Sequence, residues 1–472
     1  MLGWLLGLLW MFALRTWLPA HTALDADALT VADLWRSLHQ GGHLGDWVMS
    51  QHPYVFPDLP VYGVACLFAP DTAGRQAAFG MVQGFLLWWL LSRLMKRVWA
   101  LPGSTARAYS AAGLLFLLPC LSAGGSFAEV FFPAYHGGAL LCGLAWLAWL
   151  VKQDGRPSGW LSVAWSGFLV GLCWASDQIV PLWVLLPGMV LCLGLSGPAR
   201  LRTLAAAVLA WIFRGLILWR WESQGMQVAH FRWAYFVEHA GALSGAAGAQ
   251  IAPLLAAAFL PLAVALAAVG LLFGQARDRP LGAWLATALM LVALSGLGLA
   301  ALQGSLQERY VMGFVWVGAP LLPLLASRFL GGDPLPLAAS GLVGVLVCLG
   351  FFWSVPAPAE AVVQARWLDS QLAPRGLNRG LADYRHARPL RLLSGGDLVL
   401  LPATTGDGIL KPFAWSVDRR IFDSGLRVQF VVLNGLEPAA VRAALGAPVG
   451  QADGAGLSLW FYATLPAPRA GI

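Results

Sequence analysis

The sequence predicts a polytopic α-helical membrane protein of about eleven transmembrane helices, followed by a small C-terminal α/β domain on the extracytoplasmic side. Three observations predict it. Of the 472 residues, 58% are hydrophobic and only 11% charged, with a mean hydropathy of +0.68; a soluble chain of this length needs far more polar surface. Apolar stretches close to the roughly 20 residues that cross a bilayer recur from Met1 to Pro356. Beyond Pro356 the apolar blocks give way to short mixed runs separated by Gly, Asp and Pro.

Interruptions by Gly, Pro and charge place the predicted spans near 2–20, 75–95, 106–123, 137–151, 159–175, 179–196, 203–219, 251–274, 281–303, 310–328 and 335–355. The first reads as a retained helix, since it lacks a basic leader region and a cleavage site. The stretch 53–70, "PYVFPDLPVYGVACLFAP", is apolar but broken by four prolines, and reads as a re-entrant or surface-lying hairpin within an outer loop 21–74. Lys and Arg bias sets direction. Arg93, Lys96, Arg97, Arg107, Lys152, Arg156, Arg200, Arg202, Arg277, Arg279 and Arg328 fall on one set of loops. That set is read as cytoplasmic, with the N-terminus inside and residues 357–472 outside. All eight histidines and most loop carboxylates then fall on the outer side.

The charge of +7 is thinly spread, without a Lys/Arg block, which argues against a nucleic-acid partner. The six cysteines lie in apolar segments without CxxC spacing and read as small core residues. In the tail, "AEAVVQARWLDSQL" has helical spacing. "LRLL", "DLVLLPA", "VQFVVLN" and "LSLWFYATL" read as strands, and "EPAAVRAALG" as a helix ending at Gly446.

The candidate chemistry lies in the outer loops. "ALDADALTVADLWRSLHQGGHLGDW" (23–47) places Asp25 and Asp27 at the membrane edge. The D-A-D spacing allows a divalent ion, while either acid can equally cap the amphipathic helix that follows, expected to lie on the bilayer. "SFAEVFFPAYHGGALL" carries Glu129 and His136 around an aromatic patch, and "CWASDQIVPLW" carries Asp177 in a very short connection. Their bland readings are an aromatic belt and a turn-former. "RWESQGMQVAHFRWAYFVEHAG" interleaves Arg232 with aromatics, and "LQERYVMGF" sets Arg309 and Tyr310 at the start of a late span. Arg suits a phosphate contact; snorkelling anchors explain the same residues.

Taken in order, these pieces resemble the GT-C superfamily of membrane glycosyltransferases, which use polyprenyl-phosphate-linked sugars. The likeness rests on an early loop Asp, a helix ending in "SLHQGG", the segment "HPYVFPDLPVYGVACLF", the late "ERY" and the tail "LNRGLADYRHARPLRLL". It covers most of the chain as order and spacing rather than as one fingerprint. It departs where many members have Asp-Glu, since Ala28 follows Asp27. The resemblance implies inverting transfer of a sugar from the lipid donor to a glycan, lipid or protein acceptor at the outer face. Asp27 is then the general base, with Asp25 as the alternative. Arg309, then Arg232, holds the leaving phosphate; Glu129, His136, Asp177 and Tyr310 contact substrate. No cofactor is required, and a divalent metal at Asp25 and Asp27 stays open. A transporter, or a non-catalytic cell-envelope assembly protein, remains the alternative.

Overall fold

The apolar stretches of the N-terminal half fold into helices that pack through small residues and tryptophans. The structure, a computed structural model, describes residues 2–21, 23–98, 101–122, 130–155, 158–228, 359–395, 397–423 and 427–466. The longer helices are α1 (Leu2–His21), α4 (Thr72–Val98), α5 (Gly103–Ser122), α6 (Gly137–Gly155), α7 (Trp160–Ser176) and α9 (Gly197–Ser223). Helix α1 sits against α4 and α5, where the indole of Trp10 donates to the Gly84 carbonyl (3.2 Å). Helices α7 and α9 approach closely along Gly167, Gly171, Ala206 and Ala210. A methyl added at Gly171 would stand 2.6 Å from the Ala210 carbonyl oxygen, so the small-residue seam sets this contact.

The expected set of eleven spans is not what the structure shows. Two of the described helices, over Thr72–Arg97 and Gly197–Ser223, are long and apolar enough to cross a membrane by length and composition. The apolar parts of α1, α6 and α7 are shorter, at Leu2–Leu18, Gly137–Gln153 and Trp160–Ser176. At 1.5 Å per residue the 17 residues of α7 extend about 25 Å, short of a hydrocarbon core of about 30 Å. The span expected near 179–196 is the shorter apolar helix Pro181–Leu193, whose first part, Pro181–Leu185, is π-helical and continues into the eight-residue α8 (Leu186–Leu193). An apolar run in sequence does not report where within it a helix starts. The spans expected between 251 and 355 lie outside the described residues.

The outer segment also folds differently from a bilayer-lying helix. Helix α2 (Thr30–His39) buries Val31, Ala32, Asp33, Leu34 and Ser37. Leu29, Val31 and Ala32 cluster with Tyr62 and Ala65 of α3 (Asp58–Ala65) and with Leu392 of the C-terminal unit. Protein, rather than lipid, covers its apolar face. Helix α3 occupies only eight residues of the proline-broken stretch, because prolines flank and punctuate it.

The C-terminal unit is a six-stranded mixed sheet of β3 (Arg379–Asp383), β4 (Val399–Thr404), β5 (Lys411–Pro412), β7 (Arg427–Val432), β8 (Gly450–Gly454) and β9 (Leu457–Pro466). Its order is β5-β4-β3-β7-β9-β8, with β3 parallel to β4 and β7 and the other pairs antiparallel. Helices α10 (Glu360–Leu372) and α11 (Tyr384–Leu393) cover one face, where Leu368 and Leu390 meet Phe430 and Leu459. Helix α12 (Pro438–Leu445) covers the other through Val441 and Leu445. "LRLL" is the last turn of α11 rather than a strand. The Asp383 side chain accepts from the His386 amide (3.0 Å) and starts a helix that runs through it.

A second sheet joins three parts of the chain. Strand β1 (Trp47–Met49) of the first outer segment pairs in parallel with β2 (Gln227–Val228) after α9, and antiparallel with β6 (Val417–Asp418) of the C-terminal unit. This junction brings the first outer segment, the end of α9 and the C-terminal unit to one end of the molecule.

Candidate functional site

Two histidines distant in sequence share one carboxylate. His52 Nδ1 lies 2.8 Å from Asp177 Oδ1, and His136 Nδ1 lies 2.8 Å from Asp177 Oδ2. A carboxylate only accepts, so each Nδ1 carries the proton in this arrangement. The backbone explains the convergence. Asp177 ends α7, and the strand-like segment after Ser50 is laced to that end. Tyr54 N donates to the Ser176 carbonyl (3.0 Å), and Phe56 N to the Ser176 hydroxyl (2.9 Å). The two imidazoles meet edge to face at 4.8 Å, with the Tyr54 ring 5.8 Å from His52 and 5.9 Å from His136.

Three residues here hold left-handed backbone: Tyr54 (φ 53°), Ala134 (φ 66°) and His136 (φ 64°). Non-glycine residues in that region cost on the order of 1–3 kcal/mol each and persist where their surroundings over-determine them. His136 and Asp177 are buried, while the His52 side chain is 27% exposed, so the cluster reaches solvent through His52. Burial raises the Asp177 carboxyl, but the charge and hydrogen bond of His136, then those of His52, overcome it. The group is held well below the usual carboxylate range.

A second acid beside this cluster has the opposite fate. Asp58 is buried, accepts from the Ala134 amide (2.9 Å) and is pushed up to about 7. Burial is the main cause; the Ala134 hydrogen bond opposes it, and the nearby Asp177 charge adds to it. Gly138 makes room, because a methyl there would stand 2.2 Å from Asp58 Oδ1. Two carboxyls in one site with their pKa values driven apart are the arrangement that separates a permanent anion from a proton carrier.

The Asp25 and Asp27 side chains are used separately. Asp25 Oδ1 accepts from the amides of Asp27 (2.8 Å) and Ala28 (3.0 Å), and its Oδ2 from the Tyr135 hydroxyl (2.6 Å). Asp25 therefore holds the turn, and Tyr135 ties it to the residue preceding His136. Asp27 Oδ1 accepts from the Tyr384 hydroxyl of α11 (2.7 Å); among the described residues its Oδ2 has no hydrogen bond. Behind Tyr384, the buried Arg388 donates to Thr30 Oγ1 (2.8 Å), to the Ala26 and Ser416 carbonyls and to Asp33 (3.2 Å).

An apolar groove of about 380 Å³ has Phe56 and Pro57, the residues before Asp58, in its wall. Leu141, Trp89, Trp146, Trp149 and Trp165 line it as well. The backbone from Pro57 to Asp58 thus runs directly from groove wall to buried acid.

The structure brings His136 and Asp177 together and gives Asp25 and Asp27 different partners, Tyr135 and Tyr384. Glu129, Arg232, Arg309 and Tyr310 lie outside the described residues. Sequence reasoning missed His52, Asp58, Asp33, Tyr384 and Arg388. His52 and Asp58 sit in the quoted "HPYVFPD", but nothing in that string says which side chains turn inward. Among the described residues, the set with metal-type donors is His52, His136 and Asp177, whose ligand atoms lie within 4.8 Å of one another. The chain matches no protein-family model, and no curated protein or solved structure matches it.

Proposed function

We propose that this protein is a membrane-embedded glycosyltransferase that moves a sugar from a polyprenyl-phosphate donor to an acceptor at the extracytoplasmic face. The observation that carries the reading is a tryptophan-lined groove with Pro57, the chain neighbour of the buried Asp58, in its wall, in a molecule that also holds the His52–Asp177–His136 cluster. An apolar channel of that size suits an isoprenoid chain, and a polar cluster suits the phosphate-sugar head. Exposed apolar stripes support a bilayer setting. Trp4, Leu5, Leu8 and Phe12 form one on α1, and Val208, Trp211, Ile212 and Trp219 another on α9.

In this reading Asp27 accepts the proton of the attacking acceptor group as the new glycosidic bond forms and the lipid phosphate departs. Both oxygens of Asp25 are engaged in holding the turn, whereas Asp27 keeps Oδ2 for an acceptor. Tyr384 orients the Asp27 carboxylate from the C-terminal unit. Arg309 and Arg232 remain the proposed phosphate contacts, with Glu129 and Tyr310 as substrate contacts.

The test is mass spectrometry of lipid-linked sugars and envelope glycans in cells with the gene, without it, and with Asp27→Asn in its place. The expected result is accumulation of one lipid-linked sugar and loss of one glycan product on deletion. Asp27→Asn protein should accumulate normally without restoring either. Full restoration by Asp27→Asn would favour a non-catalytic assembly role, and unchanged lipid-linked sugars on deletion would sink the proposal.

A further inference from the structure

We infer that His52, His136 and Asp177 bind one divalent transition-metal ion of the zinc class, with a remaining coordination position open on the His52 side. The three donors come from separate parts of the fold: the segment after β1, the residue before α6, and the end of α7. Two imidazoles and one carboxylate suit zinc and its transition-metal neighbours, whereas magnesium and calcium select all-oxygen sets. Three protein ligands with a fourth position left to solvent or substrate is the arrangement of catalytic rather than structural zinc sites.

The geometry is close to what an ion needs. Ligand atoms around a tetrahedral ion with bonds near 2.0 Å stand roughly 3.3 Å apart. Each nitrogen–oxygen contact is 2.8 Å, and no pair of ligand atoms exceeds 4.8 Å. The two contacts reach different oxygens of Asp177, and the ion takes the place of the proton that each Nδ1 holds toward them; such nitrogen–oxygen pairs open by about half an ångström, and a pair at the outer limit closes by about 1.5 Å. His52, the partly exposed member, has room to supply that movement. Left-handed backbone at His136 and Tyr54 holds the site in a conformation that ordinary packing does not favour. In the transferase reading the open position would receive an oxygen of the donor phosphate. That role rests on the transferase reading; the binding itself does not.

The experiment uses the full chain without an affinity tag, purified in detergent and stripped with chelator. Zinc is titrated by calorimetry, and cobalt(II) by visible absorption as a probe of coordination. The expected result is one equivalent of zinc, a tetrahedral cobalt spectrum, and a rise in melting temperature on metal addition. His52→Gln changes the least buried ligand and should still fold. It should weaken binding by more than about 100-fold, the most that losing a hydrogen-bond partner of a metal ligand usually costs. Asp177→Asn and His136→Gln should abolish it. No stoichiometric binding, or equal binding by wild type and His52→Gln, would overturn the site and leave a hydrogen-bonded aspartate–histidine cluster. Metal binding intact with no lipid-linked sugar turnover would sink the transferase reading while leaving the site standing.

Discussion

The guanidinium of Arg388 stands 3.2 Å from Oδ2 of Asp33, across 355 residues of chain, with both side chains buried. Arg391 contacts the same oxygen, and Ser37 on the next turn of α2 donates to Asp418 (2.8 Å). The C-terminal unit is therefore keyed to the first outer segment by charge as well as by β1–β6 pairing.

Removing one member of a buried pair leaves an uncompensated charge, which costs about 3–5 kcal/mol. Arg388→Ala should lower the melting temperature and release the C-terminal unit to limited proteolysis. Arg388→Lys should rescue little, because an ammonium cannot satisfy Asp33, Thr30 and two carbonyls from one planar fork. A wild-type cleavage pattern for Arg388→Ala would show that strand pairing alone holds the junction.

Asp58 makes stability depend on pH in an unusual direction. Its carboxyl rises from an ordinary value of 3.8 to about 7 on folding, so the folded state binds its proton more tightly than the unfolded chain. Its stabilising contribution is complete below 3.8 and is lost as pH rises through 7. The total is on the order of 4 kcal/mol. In metal-free protein, the melting temperature of Asp58→Asn relative to wild type should therefore increase between pH 5 and pH 8. A difference independent of pH would mean that Asp58 titrates normally.

The two loop acids should separate in kind. A general base contributes roughly 100- to 10,000-fold, so Asp27→Asn should retain its fold and lose nearly all transfer. Asp25→Ala should instead cost about 1 kcal/mol of stability, since that side chain holds two turn amides. Tyr384→Phe should reduce turnover less than Asp27→Asn, as it removes only one hydrogen bond to the base. Dead Asp25→Asn beside active Asp27→Asn would exchange the two roles.

Filling the groove should act on lipid rather than on chemistry. Ala145 and Ser166 line it, and Ala145→Trp places an indole in its path. Long-chain polyprenyl phosphate should then fail to co-purify, while zinc binding at His52, His136 and Asp177 persists. Unchanged lipid retention would show that the chain lies elsewhere.

Parts of this architecture were legible from local chemistry. Alternation and turn residues marked "DLVLLPA", "VQFVVLN" and "LSLWFYATL" as strands, and "EPAAVRAALG" as a helix closed by Gly446 at φ 81°. "LRLL" misled because four apolar-rich residues fit either period, and the Asp383 cap upstream decides for helix. Span lengths misled for a related reason: hydropathy measures apolar run, whereas the helix inside it starts only at Pro181 and ends at Leu193.

The sequence by itself determined that the chain is apolar and that its composition changes beyond Pro356, where strand-like runs and a helix mark the α/β unit. It could also nominate His136 and Asp177, because polar residues beside apolar helices are costly without a purpose. Only the tertiary structure decided that these two meet His52, that Asp58 is buried near neutrality, and that Asp25 holds the turn while Asp27 faces Tyr384. Those outcomes depend on which segments a packed backbone brings within 3 Å, and on how much water is left around each charge. Neither quantity is carried by local residue pattern; both follow from contacts between distant segments, such as that of Asp27 with Tyr384, 357 residues apart.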